Sequence, residues 1–453
     1  MALVRGDSTG ERTLPTARAP RPAGRPYLAR AYAELPPPVG MALRAVRLEA
    51  QLGDPADPAN RYGLPALSAL TGPDGPPPPA DLRAEFLAPE AGGHFTGAAE
   101  LARVLRPLLC RDLALGHTWA TRPLSGPGGD LRAAGGRETE LAALLGPFAL
   151  IAATGRALRT AVGIVDGLGA DPAARQWHGT LAGAFADLLA CESLTTVALR
   201  CLVLPAEATA VLGAAVGHVV PQLAADILGD LELVLNESGL APASLQQRTL
   251  AKLTADLAAA PARWPGAAGC RDRLVTALPD LAAPGQVPAA AGGVLFGLGE
   301  AVAVPAGLLP AGTGCHHVLA DALAGAAAAR PAEGHGALAR LARRLRTERR
   351  TLHLPSLTAA DAVEADAGVW ALADRQALLL LAGAVLGVHR AAQDGTFLAA
   401  ADWALLALVR VTERLGVPLP PLPADPRTGV WAHLAERGRR GLDCDVYATK
   451  TLW

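Results

Sequence analysis

Glu192 is the carboxylate best placed by its neighbours to do chemistry. It lies at i+3 from Leu189 and i+4 from Leu188, on a mostly apolar helical stripe. Apolar surroundings raise a carboxyl pKa and suit it to proton transfer. The alternative is a carboxylate paired inside a bundle with Arg156 or Arg159. Those two arginines sit on adjacent turns of one helix. Their planar forks fit a phosphate, as of coenzyme A or a carrier-protein arm, and equally fit ion pairs within the bundle. Arg111 and Asp112 form a second candidate pair. Asp112 is an acid/base candidate and Arg111 a substrate-binding cation, unless the two serve as an ion pair joining two parts of the fold. Cys315-His316-His317 has metal-ligating residue types. Adjacent side chains diverge, and His335 and His353 are too loosely placed to complete a set, so no metal site is expected. Glu237 reads as a solvated helix end or a new site. The arginines between Arg340 and Arg350, with Glu348 among them, read as a solvated helix face or a docking patch for an acidic carrier protein. Trp370, Trp403 and Trp431 read as core.

Positioning these groups takes helices. Apolar residues recur at helical spacing over 147–165, where Pro147 suits a first turn and Gly167 and Gly169 an end. A second helix is expected over 180–204. It carries Leu194, Val197, Ala198, Cys201 and Leu202 on one side and Phe185, Leu188 and Leu189 on the other, and so belongs inside a bundle. Further helices are expected over 223–235, over 245–257 (ending before Pro261), and over 334–350, 371–391 and 399–415. Upstream, a helix starts near Met41 and is broken by the prolines of residues 53–60. Another covers about 96–115, with Leu101, Val104, Leu105 and Leu108 on one stripe and Pro107 expected to kink it. Residues 72–79 and 124–136 read as loops, and 260–330 yields no clear elements. No strand–helix alternation and no fixed-period repeat occurs, so the expected class is all-α.

Composition agrees. Of 453 residues, 51% are hydrophobic, which is ample for a core, but only 4% are aromatic. Strand-forming types are therefore scarce. The formal net charge of −1 lacks the electrostatic footprint of a nucleic-acid partner. The six cysteines form no CxxC pair, which argues against a zinc module or a thioredoxin-type motif and fits a reducing cytoplasm. No apolar leader segment is read near Met1. The longest uninterrupted apolar run, 377–388, is 12 residues. It is read as too short for a bilayer and as a buried helix. The expected location is cytoplasmic, without membrane association.

Several stretches resemble the acyl-CoA dehydrogenase family, especially its larger actinomycete members of secondary metabolism. They are Leu48-Glu-Ala-Gln-Leu-Gly-Asp-Pro-Ala-Asp-Pro-Ala-Asn60, Ala88-Pro-Glu-Ala-Gly-Gly93, Arg111-Asp112-Leu-Ala-Leu-Gly-His117, Thr154-Gly-Arg-Ala-Leu-Arg159 and Phe185-Ala-Asp-Leu-Leu189. Residues 374–381 and 397–415 resemble the extra C-terminal helical region of that subgroup. The resemblance rests on order and spacing. It implies a tail over 1–40, an N-terminal helical domain over 41–145, a helical bundle over 146–290 and an extra helical domain over 291–453. The family's middle β domain has no room, because only 16 residues separate Asp130 from Pro147. The family's flavin-contacting Arg-Phe-Gly has no counterpart in 165–171; the nearest arginine, Arg175, is followed by Gln176, Trp177 and His178. The flavin-facing Gly-Gly turn is replaced by 236–240, which holds one glycine. The positions of the catalytic Glu fall at about Phe148 and in the loop 258–269, where no carboxylate occurs.

What the resemblance then implies is a flavin-free, non-redox subunit or binding module for an acyl thioester. Such a module would form a homo- or hetero-oligomer with an acyl-CoA dehydrogenase-like chain, or bind an acyl carrier protein or acyl-CoA. Two alternatives stay open. One is an enzyme that reuses the acyl pocket for cyclisation or isomerisation, with Glu192 and Asp112 catalytic and Arg111, Arg156 and Arg159 binding substrate. The other is a dehydrogenase that binds FAD only together with a partner chain.

Overall fold

The architecture comes from a computed structural model. It describes residues 37–68, 75–125, 136–169, 171–237, 244–263, 269–283, 285–298, 303–329, 336–352 and 367–453. The expected tail before residue 37, the loop core 126–135, Ser238, Gly239 and Leu240, and His335 and His353 lie outside the described residues. About 74% of the structure is helical, and the described residues contain no strand. One isolated antiparallel bridge joins Leu442 to Lys450.

Thirteen described helices have seven residues or more. In chain order they are α1 (Pro37–Leu52), α2 (Ala98–Arg111), α3 (Glu138–Gly167), α4 (Pro172–Cys201), α5 (Ala206–Glu237), α6 (Leu245–Arg263) and α7 (Cys270–Thr276). They continue with α8 (Ala289–Phe296), α9 (His316–Ala328), α10 (Gly336–Thr351), α11 (Ala367–Ala391), α12 (Ala401–Arg414) and α13 (Pro426–Arg439). The long helices α3, α4 and α5 pack against one another as the central bundle. Helix α2 joins α1 to α3, and α11, α12 and α13 cover α4. One contiguous set of buried apolar side chains runs from Leu48 to Val446 and crosses the boundaries expected near 145 and 290.

Helix α4 is buried on both sides, as its two apolar stripes require. Its one early acidic group, Asp187, is compensated inside the protein. The carboxylate accepts from Arg410 Nε at 2.6 Å and from both Nη atoms of Arg414 at 2.8 and 2.9 Å, which pins α4 to α12. Helix α2 keeps its course through Pro107 and ends at Arg111. Asp112 then caps the next turn, its carboxylate accepting from Leu115 N–H at 2.8 Å.

Two sequence expectations need correction. Helix α3 starts at Glu138, so Pro147 lies in its interior and not in the first turn. Pro221 is likewise interior to α5, where the expected helix began only at Leu223. A proline cannot donate to the carbonyl four residues earlier. The carbonyls of Ala143 and Gly217 therefore lack their helical donor. Both prolines and both of these residues line the same cavity, so neither proline ring has to push into packed core.

The second correction concerns membranes. Four helical spans (Glu138–Gly167, Ala174–Cys201, Ala206–Glu237 and Ala367–Ala391) are long and apolar enough to cross one. The uninterrupted run at 377–388 understated this, because scattered charges interrupt an apolar run without removing a helix's mean hydropathy. By length and composition these helices do not support a cytoplasmic location. In the fold, 89%, 100%, 72% and 72% of their apolar windows are buried inside the protein.

Candidate functional site

Glu192 lies on α4 and is fully buried. Its partner is Arg106 of α2, and neither of the two arginines considered from the sequence. Arg106 Nη1 donates to Glu192 Oε1 at 3.0 Å, and Val446 N–H donates to Oε2 at 3.1 Å. Arg106 Nε donates to Asp443 Oδ2 at 2.7 Å, and Asp445 Oδ2 stands 4.0 Å from the same nitrogen. Arg437 closes the far side by donating to the carbonyls of Asp443 and Asp445. Two guanidinium groups thus face three carboxylates in a dry interior. Burial pushes Glu192 up to about 8, although Arg106 pulls it down. Burial also works against ionised Asp443, but Arg106 overrides it and holds that carboxyl below the usual range. Both Glu192 oxygens are occupied by donors, and the side chain is fully buried, so the geometry suits a structural cross-link more than a base meeting substrate.

Arg111 and Asp112 do not pair with each other. Arg111 donates to the carbonyls of Leu52 (3.3 Å), Gly53 (2.6 Å) and Tyr62 (2.9 Å), fixing the chain that breaks away after α1. Gly53 has φ +65°, the left-handed conformation that favours glycine at a helix end. Asp112 binds Lys252 Nζ of α6 at 2.7 Å in addition to capping the following turn, and Asp256 takes the same ammonium at 2.5 Å. Lys252, one of two lysines in the chain, therefore joins the N-terminal helices to the bundle.

Arg156 and Arg159 face a pocket between α1, α2, α3, α6 and the segment 449–453. Its volume is about 50 Å³, room for a few water molecules. Arg156 Nη1 donates to the Trp453 main-chain oxygen at 3.3 Å; Arg159 donates to the same oxygen at 2.5 Å and to the Thr451 hydroxyl. On the opposite wall Glu49 accepts from Leu452 N–H at 3.1 Å. The pocket thus brings Arg111, Arg156 and Arg159 together, while Asp112 and Glu192 lie outside its lining.

A larger cavity of about 900 Å³ runs between α3, α5 and α6. Small residues hollow it: Ala143 and Gly146 on α3, and Gly213, Gly217, Ala225 and Gly229 on α5. Gly213 and Gly229 have open space where a Cβ would stand. The rest of the lining is mostly apolar, with Leu150, Leu202 and Leu257 among it and Glu140, Glu232 and Arg273 as charged members. Its size falls within the range of small-molecule sites.

The histidines of Cys315-His316-His317 are buried, their rings 4.0 Å apart. Burial, with His317 alongside, pushes His316 down to about 4. Among the described residues no group of three or more His, Cys, Asp or Glu side chains is arranged to hold a metal ion. Trp403 is fully buried, Trp431 stacks on His178 at 4.1 Å, and Trp370 is partly exposed beneath Arg271. Glu348 of α10 is engaged by Arg375.

Sequence reasoning missed Arg106, Asp443 and Asp445. Arg106 carried a signal: it lies at i+4 from Ala102 and i−3 from Leu109, inside an apolar face, where a charge needs a partner. Asp443 and Asp445 carried none, because Arg106 is 337 positions from Asp443 and farther still from Asp445. No family model, curated protein or solved structure matches the chain.

Proposed function

We propose that the chain is a flavin-free, non-redox relative of acyl-CoA dehydrogenases that binds an acyl thioester or its carrier, with the acyl chain lying in the cavity between α3 and α5. The observation that carries this reading is the 900 Å³ cavity itself, walled by glycine and alanine on facing helices. The space is a groove open to solvent at Ala143, Ala225 and Gly229, which are exposed. Small residues on α5 and α3 (Gly213, Gly229, Ala143 and Gly146) keep it wide, and the carbonyls of Ala143 and Gly217 supply acceptors within a mostly apolar wall.

The flavin-free part rests on what now occupies the corresponding positions. Asp166 is bound by Arg439 at 2.8 Å, and His178 is stacked on Trp431 of α13. These contacts support the flavin-free reading. The long apolar helices serve as bundle core in this reading, with the protein in the cytoplasm and assembling through its bundle with itself or a dehydrogenase-like chain.

The test is a fluorescent fatty-acyl probe titrated into the full chain and into the Gly213→Leu and Gly229→Leu variants. These side chains enter open space, and replacing a mid-helix glycine raises helix stability by about 0.5–1 kcal/mol. The expected outcome is probe binding that each variant weakens at least about tenfold while melting at or above the parent temperature. No probe binding by the parent, or equal binding by all three proteins, refutes the assignment.

A further inference from the structure

We propose that the groove between α3 and α5 selects acyl chains that carry hydroxyl groups, and that the carbonyl oxygens of Ala143 and Gly217 are the acceptors that read them. This rests on the reading of the groove as an acyl site and names the class of chain it takes. The two interior prolines lead to it. Pro147 follows Ala143 at i+4 on α3, and Pro221 follows Gly217 at i+4 on α5. All four residues line the groove. In a helix each carbonyl points along the axis towards the N–H at i+4. A proline at i+4 has no N–H to offer. Both residues of each broken pair lie on the groove, so the oxygen between them faces it. Two helices that pack directly on one another thus each bring one acceptor to the same wall, through the residue that a helix interior tolerates least.

The charged groups of that wall have partners within the chain. Glu140 accepts from Arg137 Nε at 2.9 Å, and Glu232 accepts from the Thr254 hydroxyl at 2.7 Å. Arg273 donates to the Gly269 carbonyl at 3.2 Å. The Thr209 hydroxyl accepts from Arg137 Nη2 at 2.7 Å and donates to the Ala206 carbonyl at 3.0 Å. A side chain at Gly217 would meet Cys270 Sγ at 2.5 Å. The close approach of α7 therefore holds this stretch of α5, and its acceptor, in a fixed position.

In the open groove bulk water can serve both oxygens, and a chain that fills the groove displaces it. A plain hydrocarbon then leaves each carbonyl buried without a donor, which weakens binding about fivefold or more for each. A hydroxyl returns the bond. A site that presents acceptors in this way discriminates against the analogue that lacks the donor. A hydroxyl also fits better than an amine or an amide. An ammonium group is costly to move from water to a mostly apolar wall that includes Arg273, and an amide brings a carbonyl of its own that needs a donor.

The experiment is displacement of the fluorescent acyl probe from the full chain by palmitate and by a trihydroxylated palmitate. The readout is the ratio of the two affinities, hydroxylated over plain, which cancels the general preference of an apolar wall for the plain chain. It is repeated on Pro147→Ala and Pro221→Ala. Alanine restores the N–H and returns the carbonyl to its helix, so each variant is expected to melt at or above the parent temperature. If an alanine variant does not fold, Pro147→Ser or Pro221→Ser, which restores the same N–H, takes its place. A ratio that falls at least about fivefold in one variant or both supports the proposal. A ratio unchanged in both folded variants, with the probe still bound, overturns the hydroxyl selectivity and leaves the acyl site standing. A parent that binds no probe overturns the acyl site, and the selectivity with it.

Discussion

Replacing Arg106 by leucine removes the cation that binds Glu192 and Asp443 and leaves three carboxylates in the interior with only Arg437 nearby. Breaking a buried pair by deleting one partner costs about 3–5 kcal/mol, a large part of the about 5–15 kcal/mol by which proteins are stable. With a denaturant slope near 3 kcal/mol/M for a chain of this size, the urea midpoint falls by about 1–2 M. The sign of the pH dependence follows from Glu192. Its pKa rises on folding from 4.5 to about 8, so the folded chain keeps a proton that the unfolded chain releases. That contribution is fully present below pH 4.5 and is lost as pH rises through about 8. Without Arg106 the carboxyl rises further, so Arg106→Leu is most impaired at the alkaline end of the scan and approaches the parent as pH falls towards 5. Urea unfolding followed by circular dichroism, repeated across this pH range, measures both effects. A midpoint shift below about 0.3 M, or a loss that is the same at every pH, refutes the account of the cluster as a charge-compensated cross-link.

Asp112→Ala removes a helix cap and one of the two carboxylates on Lys252 and is expected to cost about 2 kcal/mol, read from urea unfolding. Asp112→Asn keeps a capping oxygen and should lose less than half as much; equal losses would show that the cap contributes little. The burial of the four apolar helices predicts that the expressed protein leaves the membrane fraction on alkaline carbonate extraction. Retention in the pellet would place those helices in a bilayer.

Helix positions were legible because each long helix announces itself by apolar residues at a spacing near 3.6. Boundaries were not legible where a proline was read as punctuation. Pro147 and Pro221 are tolerated inside helices because their faces line a cavity, and a cavity is a tertiary fact with no local sequence mark. Helix α13 was missed because Pro426, Gly429 and a mixed polar pattern conceal it, although Asp425 caps it by accepting from Arg427 N–H at 3.0 Å. Glu192 was legible as a buried carboxylate, but its partner was not. Periodicity reports which face of a helix is dry and does not report which distant residue meets it. The arginines of α3 were legible as candidate phosphate ligands, whereas the segment that now covers them is joined to them only by the fold.

The Arg106 clamp also carries a consequence for how the chain is made. Its nearest acid, Asp443, is 337 residues downstream. At about 5–20 residues per second the ribosome takes about 20–70 s to deliver it. For that interval α2 and α4 can come together only with one carboxylate and one guanidinium, a pair that buries Arg106 with its Nε unanswered. The central bundle is therefore expected to reach its final dryness only after Asp443 has been made. The segment that carries Asp443 acts as a lock on helices made well before it, and variants at Asp443 should show their damage in folding yield before they show it in the melting of the finished protein.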